Sequence, residues 1–142
     1  ADAVYDSSDP MGLACAMRQT EERGFAQVFE TAGNPNALKT CMRLAANRGE
    51  ITLIGTPSRP VEFTVDEFEI LNRKELTVRA SWMSYSAPFP GREWTEAARL
   101  LAEGKVQTAP LIDRVLPLEA AWEGFEAIDR REVCGKVMLE MV

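Results

Sequence analysis

The chain has 142 residues, of which 46% are hydrophobic and 27% charged, and its formal net charge is −6. This length suits one modest core, and this composition is that of an ordinary folded protein rather than a disordered one. The acidic balance argues against nucleic acid as a partner, because phosphate binding needs clustered Lys and Arg, and no apolar run approaches the roughly 20 residues that span a membrane.

Two residue types limit the chemistry of the chain. It has no His, and its three cysteines, Cys15, Cys41 and Cys134, lie far apart in the sequence. This spacing excludes a paired-Cys zinc motif and argues against a disulfide framework. Free thiols indicate a cytoplasmic location, and without His the commonest general base near neutral pH is missing. From this composition we therefore expect neither a His-based catalytic site nor a metal site built on His or paired Cys ligands.

The first part of the chain alternates between strand and helix patterns. Strands are predicted at 3–5, 26–30 and 51–55. The connecting loops are short and carry Gly and Pro at their turns. Alternation of this kind predicts βαβ units and a parallel, layered α/β sheet.

Local capping residues mark the helices of this part. Asp9 before Pro10 and Asn34 before Pro35 each combine an N-cap side chain with a proline in the first helical position. Gly24 is expected to end the first helix and the stretch 47–49 the second.

The pattern changes after Pro57. The segment 61–65 alternates strictly between apolar and polar residues, which predicts a strand with one solvent-exposed face. The remaining predicted elements are helices at 66–72, at 93–103 and from Ala120, and strands at 76–82 and 136–141.

Six segments match one known family in the same order along the chain. They are 29–33 (Phe-Glu-Thr-Ala-Gly), 51–57 (Ile-Thr-Leu-Ile-Gly-Thr-Pro), 73–78 (Arg-Lys-Glu-Leu-Thr-Val), 81–86 (Ser-Trp-Met-Ser-Tyr-Ser), 110–112 (Pro-Leu-Ile) and 135–139 (Gly-Lys-Val-Met-Leu). Together they resemble the medium-chain zinc alcohol dehydrogenases of the sorbitol dehydrogenase type. Within that family, the third and fourth segments look closest to the galactitol-1-phosphate dehydrogenases. The resemblance covers essentially the whole chain.

The resemblance implies an α/β fold class. Residues 1–81 would form the C-terminal half of a Rossmann cofactor domain, a doubly wound parallel sheet, and residues 82–142 the C-terminal return segment of the catalytic domain. The full-length parent would be an oxidoreductase that moves hydride between a polyol or polyol phosphate and NAD or NADP, with the assistance of zinc. The family's zinc ligands are absent from this chain, and no Gly-x-Gly-x-x-Gly turn occurs in it. We expect the chain by itself to be inactive.

The resemblance also assigns cofactor-binding positions. They are Thr31, Ala32 and Gly33 after one strand, Ile54, Gly55 and Thr56 after the next, Ser81 and Trp82 at the end of a third, and Lys136 near the terminal strand. It places Tyr85 beside the substrate cleft. The resemblance also implies that 61–65 is an edge strand through which two subunits join, so we expect a homo-oligomer, since an exposed edge is a template for pairing. On the residues alone, 61–65 is a covered edge within one chain. On the residues alone, the first two loops are equally typical of tight turns that need glycine. Trp82 is then a packing residue and Lys136 a solvated lysine.

Two alternative functions are compatible with the same residues. The chain could be a half-Rossmann module that dimerises through an edge strand and does no chemistry, which the missing His and Gly-rich turn favour. It could also belong to a zinc-free reductase of the same superfamily, although the segments 73–78 and 81–86 favour the polyol type.

Overall fold

A computed structural model describes residues 1–82 and 89–141. The chain divides into two compact units, Ala1–Ser84 and Tyr85–Val142. The predicted substrate-cleft residue Tyr85 and most of the 81–86 segment lie outside the described residues. No helix in the described ranges has the length and apolar character needed to cross a membrane.

The first unit alternates helix and strand along the chain. Its elements are α1 (Pro10–Arg18), β1 (Phe25–Glu30), α2 (Pro35–Leu44), β2 (Ala45–Leu53), α3 (Val65–Arg73) and β3 (Thr77–Ala80). The three strands form a parallel sheet in the order β1-β2-β3. The predicted parallel α/β architecture is therefore confirmed.

Side-chain caps fix where the helices of this unit begin. The Asp9 side chain accepts a hydrogen bond from the Met11 N–H at the start of α1, and the Asn34 side chain accepts one from the Ala37 N–H at the start of α2. Both N-caps were predicted from the sequence and are confirmed. Helix α3 begins with a capping box, in which Thr64 and Glu67 each bond the other's backbone N–H.

The core of the first unit lies between the sheet and helices α2 and α3. Cys41, Met42, Ala45 and Ile51 are buried at its centre. Partly buried residues from β1, α2, β2 and α3 pack against them, as do residues of the flanking loops: Val28, Leu38, Leu53, Phe63, Ile70, Leu71 and Leu76. This packing holds β1 and β2 against the two helices.

The prediction of an edge strand at 61–65 was wrong. No strand forms there: the chain is irregular as far as Thr64, and Val65 is the first residue of α3. The alternation has another cause, because Phe63 packs on the core and lies edge-to-face with Phe68 at 6.4 Å between ring centroids. A homo-oligomer therefore has no strand at 61–65 through which to pair.

The predicted strand at 3–5 is also absent. A strand needs a neighbour for its backbone hydrogen bonds, and none pairs with these residues in the described part of the chain. The backbone turns immediately afterwards, where the Asp6 side chain accepts the Ser8 N–H at 2.8 Å and the Asp6 carbonyl accepts the Asp9 N–H.

Two boundaries also differ from the prediction. Helix α1 ends at Arg18 rather than near Gly24, and β2 already begins at Ala45, so that 47–49 lies inside the strand rather than closing a helix.

The second unit contains a smaller βαβ arrangement. Its elements are α4 (Arg92–Ala102), β4 (Ile112–Pro117), α5 (Ala121–Asp129) and β5 (Lys136–Glu140). Strands β4 and β5 pair in parallel, and α5 connects them. Gly124 lets α5 approach the strands closely, because a Cβ there would lie 2.9 Å from Val137 Cγ1.

Candidate functional site

The carboxyl ends of β1, β2 and β3 meet at one edge of the sheet. Glu30 is level with Leu53, and Leu53 is level with Ala80. The loops that follow these three residues begin with Thr31, Ile54 and Ser81. The structure thus brings every predicted cofactor-binding position of the first unit to a single edge, where parallel α/β sheets bind their ligands.

Backbone hydrogen bonds join these loops to one another. The Glu30 carbonyl accepts the N–H groups of both Ile54 and Gly55, at 2.8 and 3.0 Å. The Gly33 carbonyl accepts the Ser58 N–H at 3.4 Å, and the Leu53 carbonyl accepts the Ser81 N–H at 2.9 Å. The edge is therefore one connected surface rather than three separate loops.

Two glycines make this connection sterically feasible. Gly33 has a φ of +64°, and a Cβ built on it would lie 2.5 Å from the Thr56 carbonyl oxygen. A Cβ on Gly55 would lie 2.2 Å from the Gly33 nitrogen. No side chain fits at either position without moving the backbone. The space beside Gly55 is thus filled by the neighbouring loop itself.

A carboxylate lies beneath the first loop. Glu30 is 4% exposed, and its Oε1 accepts the N–H groups of Ala32 and Gly33, each at 2.9 Å. The sequence interpretation did not single out this residue. A signal was present, because Glu30 is two residues after the inward-facing Val28 and therefore on the same face of β1.

A cleft of about 370 Å³ lies beside this edge, at the N-terminus of α2. Much of its lining consists of hydroxyl and amide side chains, namely those of Ser7, Ser8, Thr31, Asn34, Asn36 and Thr40. The helix N-terminus adds a partial positive charge. Of these residues, the sequence predicted only Thr31 as a binding residue; the others come together through folding.

Apolar side chains are exposed at the same edge. Phe29 is 56%, Ile54 47% and Trp82 62% exposed. Trp82 is exposed in the structure of this chain, which disagrees with the alternative interpretation of Trp82 as a packing residue. Exposed apolar surface beside a polar cleft suits a ligand with both planar and hydrophilic parts.

Cys41 also lines the cleft but is not an activated thiol. Burial raises its pKa above the ordinary value, and the negative charge of Glu30 raises the pKa further. The neutral thiol is a poor nucleophile.

Lys136 belongs to the second unit, where it is the exposed first residue of β5, level with Ile112.

A family model described as "zinc-binding dehydrogenase" matches residues 1–139. The chain belongs to this family. Among curated relatives, galactitol 1-phosphate 5-dehydrogenase of Escherichia coli K12 is 38% identical over 112 residues, which are 79% of this chain and 32% of that protein. L-Threonine 3-dehydrogenase of Bacillus velezensis is 33% identical over 138 residues, which are 94% of this chain and 36% of that protein. The chain thus spans about a third of the length of these relatives.

Solved structures of the same family share the fold. The crystal structure of galactitol-1-phosphate dehydrogenase from Escherichia coli matches with a TM-score of 0.83 and 36% identity, over 94% of this chain and 38% of that one. The crystal structure of an NAD-dependent alcohol dehydrogenase matches with a TM-score of 0.79 and 28% identity, over all of this chain and 38% of that one. The predicted family and Rossmann-like fold are confirmed.

The zinc of the family name does not fit the residues of this chain. It has no His, and the described residues contain no group of three or more Cys, Asp or Glu side chains arranged to hold a metal ion. The hydroxyls, amides and apolar side chains at the sheet edge instead fit an organic ligand.

Proposed function

We propose that this chain forms one wall of a nicotinamide-dinucleotide cleft in a dehydrogenase that oxidises a polyol or polyol phosphate. The observation that carries the proposal is the convergence of the loops 31–33, 54–56 and 81–82 at one carboxyl edge of a parallel sheet. The similarity to an NAD-dependent alcohol dehydrogenase supports a dinucleotide as the ligand.

The roles of the residues follow from their chemistry. When bound, the nicotinamide ring supplies the acceptor for hydride. Ile54 and Trp82 offer exposed apolar surface from which a planar ring displaces water. Thr31, together with the hydroxyl and amide side chains of the cleft, offers hydrogen bonds to the hydrophilic parts of the ligand. The proposal includes Lys136 as a basic residue close to the cofactor phosphates.

The identity of the substrate rests on the relatives. Similarity to galactitol 1-phosphate 5-dehydrogenase favours a polyol phosphate, and similarity to L-threonine 3-dehydrogenase makes L-threonine the competing substrate to test. The zinc assistance expected of the family would use ligands from a part of the protein outside these 142 residues. A cytoplasmic location belongs to the same proposal and is supported by three cysteines that form no disulfide.

The direct test is an activity panel. The full-length protein that carries this chain is incubated with NAD or NADP and with galactitol 1-phosphate, galactitol, sorbitol or L-threonine, and the reduced nicotinamide is measured by absorbance. We expect reduction with a polyol or polyol phosphate and none by the 142-residue chain alone. Turnover of L-threonine only would reject the polyol assignment. The absence of dinucleotide binding would reject the proposal as a whole.

A further inference from the structure

The side chain of Glu30 lies where the 31–33 and 54–56 loops meet. Glu30 is 4% exposed and is the one charged residue that is buried among the described residues. A buried carboxylate is costly unless hydrogen-bond donors surround it. Here two donors converge on one oxygen, because the Ala32 and Gly33 N–H groups both reach Oε1.

The backbone of the same residue holds the second loop. The Glu30 carbonyl accepts the Ile54 and Gly55 N–H groups, and its Oε2 is 2.7 Å from the position of a Cβ built on Gly55. One residue therefore contacts both loops, through its side chain on one side and through its carbonyl on the other.

We propose that Glu30 is a positioning residue, whose carboxylate fixes the 31–33 loop against the 54–56 loop in the geometry that binds the dinucleotide. The inference rests on the proposed function for the identity of the ligand. Glu30 is buried, so it acts on the ligand through the loops. A carboxylate suits this role because it only accepts hydrogen bonds and its charge strengthens both of them.

Three substitutions separate the contribution of the length of the Glu30 side chain from that of its charge. Glu30→Gln keeps an acceptor oxygen at the same distance without the charge. Glu30→Asp keeps the charge but shortens the side chain by one methylene, which withdraws the oxygen from the two N–H groups. Glu30→Ala leaves both buried donors without a partner.

The experiment measures the Kd for the dinucleotide, and KM and kcat, in the full-length protein. We expect Glu30→Asp and Glu30→Ala to raise the Kd and KM for the dinucleotide about tenfold or more, with a smaller change in kcat, and Glu30→Gln to stay within about threefold of wild type. If Glu30→Ala does not fold, Glu30→Asp alone decides.

Met42→Ala is the matched control. Met42 is 1% exposed, in the core away from both loops, so this variant lowers thermal stability without a Glu30-specific effect. We expect its dinucleotide Kd to match wild type below its melting temperature. An equal rise in Kd for Met42→Ala, or a wild-type Kd for Glu30→Asp, would overturn the positioning role.

Amide hydrogen exchange without any ligand distinguishes this inference from the proposed function. We expect the Ala32 and Gly33 amides to exchange at least about tenfold faster in Glu30→Asp than in wild type, while the amides of α2 stay protected. Unchanged exchange would reject the role of Glu30, whether or not the protein binds a dinucleotide. Faster exchange in a protein that binds no dinucleotide would reject the proposed function but would still support the role of Glu30 in fixing the 31–33 loop.

Discussion

Single residues at the sheet edge are constrained by backbone contacts rather than by side-chain chemistry. Gly33 needs both a positive φ and a missing Cβ, because its φ is +64° and the Thr56 carbonyl lies 2.5 Å from where a Cβ would be. Gly104 has a similar φ of +66° but nothing within 4 Å of a built Cβ. The two positions therefore separate the conformational cost of a side chain from its steric cost.

We expect Gly33→Ala to lower the free energy of unfolding by about 2–4 kcal/mol, since the left-handed backbone and the overpacking each cost about 1–2 kcal/mol. Gly104→Ala is the matched control and should cost only about 1 kcal/mol. Urea unfolding of both variants against wild type measures the difference. Equal costs would mean that the contact between Gly33 and Thr56 contributes nothing to stability.

For single residues, the sequence predicted which residues lie at the sheet edge better than it predicted what each of them contacts. The residues Thr31 to Gly33 and Ile54 to Thr56 were identified from the resemblance and do lie together. The resemblance assigned Gly55 to cofactor binding, whereas the space where its side chain would lie faces Gly33 and Glu30. Glu30 was missed although its spacing from Val28 places it on the inward face of β1, because that spacing does not show which backbone groups a carboxylate there would contact.

Helix α2 is held at both ends, by different kinds of contact. Its first turn is capped locally by Asn34. Its last turn is capped by Lys74, which is distant in the sequence. Lys74 Nζ donates hydrogen bonds to the carbonyls of Met42, Arg43 and Ala45, at 3.2, 2.7 and 2.6 Å. These carbonyls lie at the helix end, where a cation is favourable.

Loss of this cap should destabilise the first unit. We expect Lys74→Met to lower the free energy of unfolding by about 2 kcal/mol, because charged hydrogen bonds to partly buried carbonyls are lost. Lys105→Met is the control, since Lys105 is largely exposed and its one ion pair within the described residues is with Glu103. Its cost should stay within about 0.5 kcal/mol. A Lys74→Met variant as stable as the control would show that water replaces the cap.

The contact between α2 and α3 should make the fold sensitive to acid. The hydrogen bond from Lys39, and then that from the Thr64 N–H, lowers the pKa of Glu67 below its ordinary value. A lowered pKa in the folded state adds stability above the unfolded-state pKa, and this stability is lost as the pH falls through the folded-state pKa. The affected window therefore lies below about pH 4.3.

We expect the unfolding free energy of Glu67→Gln to fall less steeply than that of wild type in this window. Glu69→Gln is the control on the same helix, since Glu69 pairs with the exposed Arg73, and it should keep the wild-type slope. Urea unfolding at a series of pH values measures the slopes. Parallel curves for wild type and Glu67→Gln would contradict the role of this ion pair.

The elements show why helix starts were predicted and other boundaries were not. Asn34-Pro35 and Asp9-Pro10 are adjacent residues whose capping depends on local geometry alone. The end of α2 depends on Lys74, and the start of β2 depends on the pairing of Ala45 with Phe25. Such contacts between distant residues leave no trace in a local pattern. The error at 61–65 has a similar cause. Phe63 is apolar because it packs on the core, and this gives the segment the alternating pattern of a strand although none forms.

At the scale of the whole molecule, β3 is one of the two outer strands of the described sheet, the other being β1, and all four residues of β3 are exposed. The Ser81 N–H donates to Leu53 on β2, so by alternation the Val78 N–H points away from the sheet. This outward edge keeps the proposed homo-oligomer physically reasonable.

We expect Val78→Pro to abolish self-association of the full-length protein while leaving each subunit folded, because proline removes only an outward N–H. Val61→Pro changes the same residue type in the segment first predicted as the edge, and it should leave association intact. Sedimentation velocity measures self-association, and circular dichroism shows whether each variant is folded. Association that survives Val78→Pro would contradict the role of β3 as the pairing edge.

The loops 31–33, 54–56 and 81–82 together form the proposed binding surface for a nicotinamide dinucleotide. Hydrogen exchange of the full-length protein, followed by mass spectrometry, with and without saturating NAD or NADP, tests this binding directly. We expect bound dinucleotide to slow exchange in all three loops and to change exchange in β4 and α5 less. Binding that leaves the three loops unprotected would contradict the proposal.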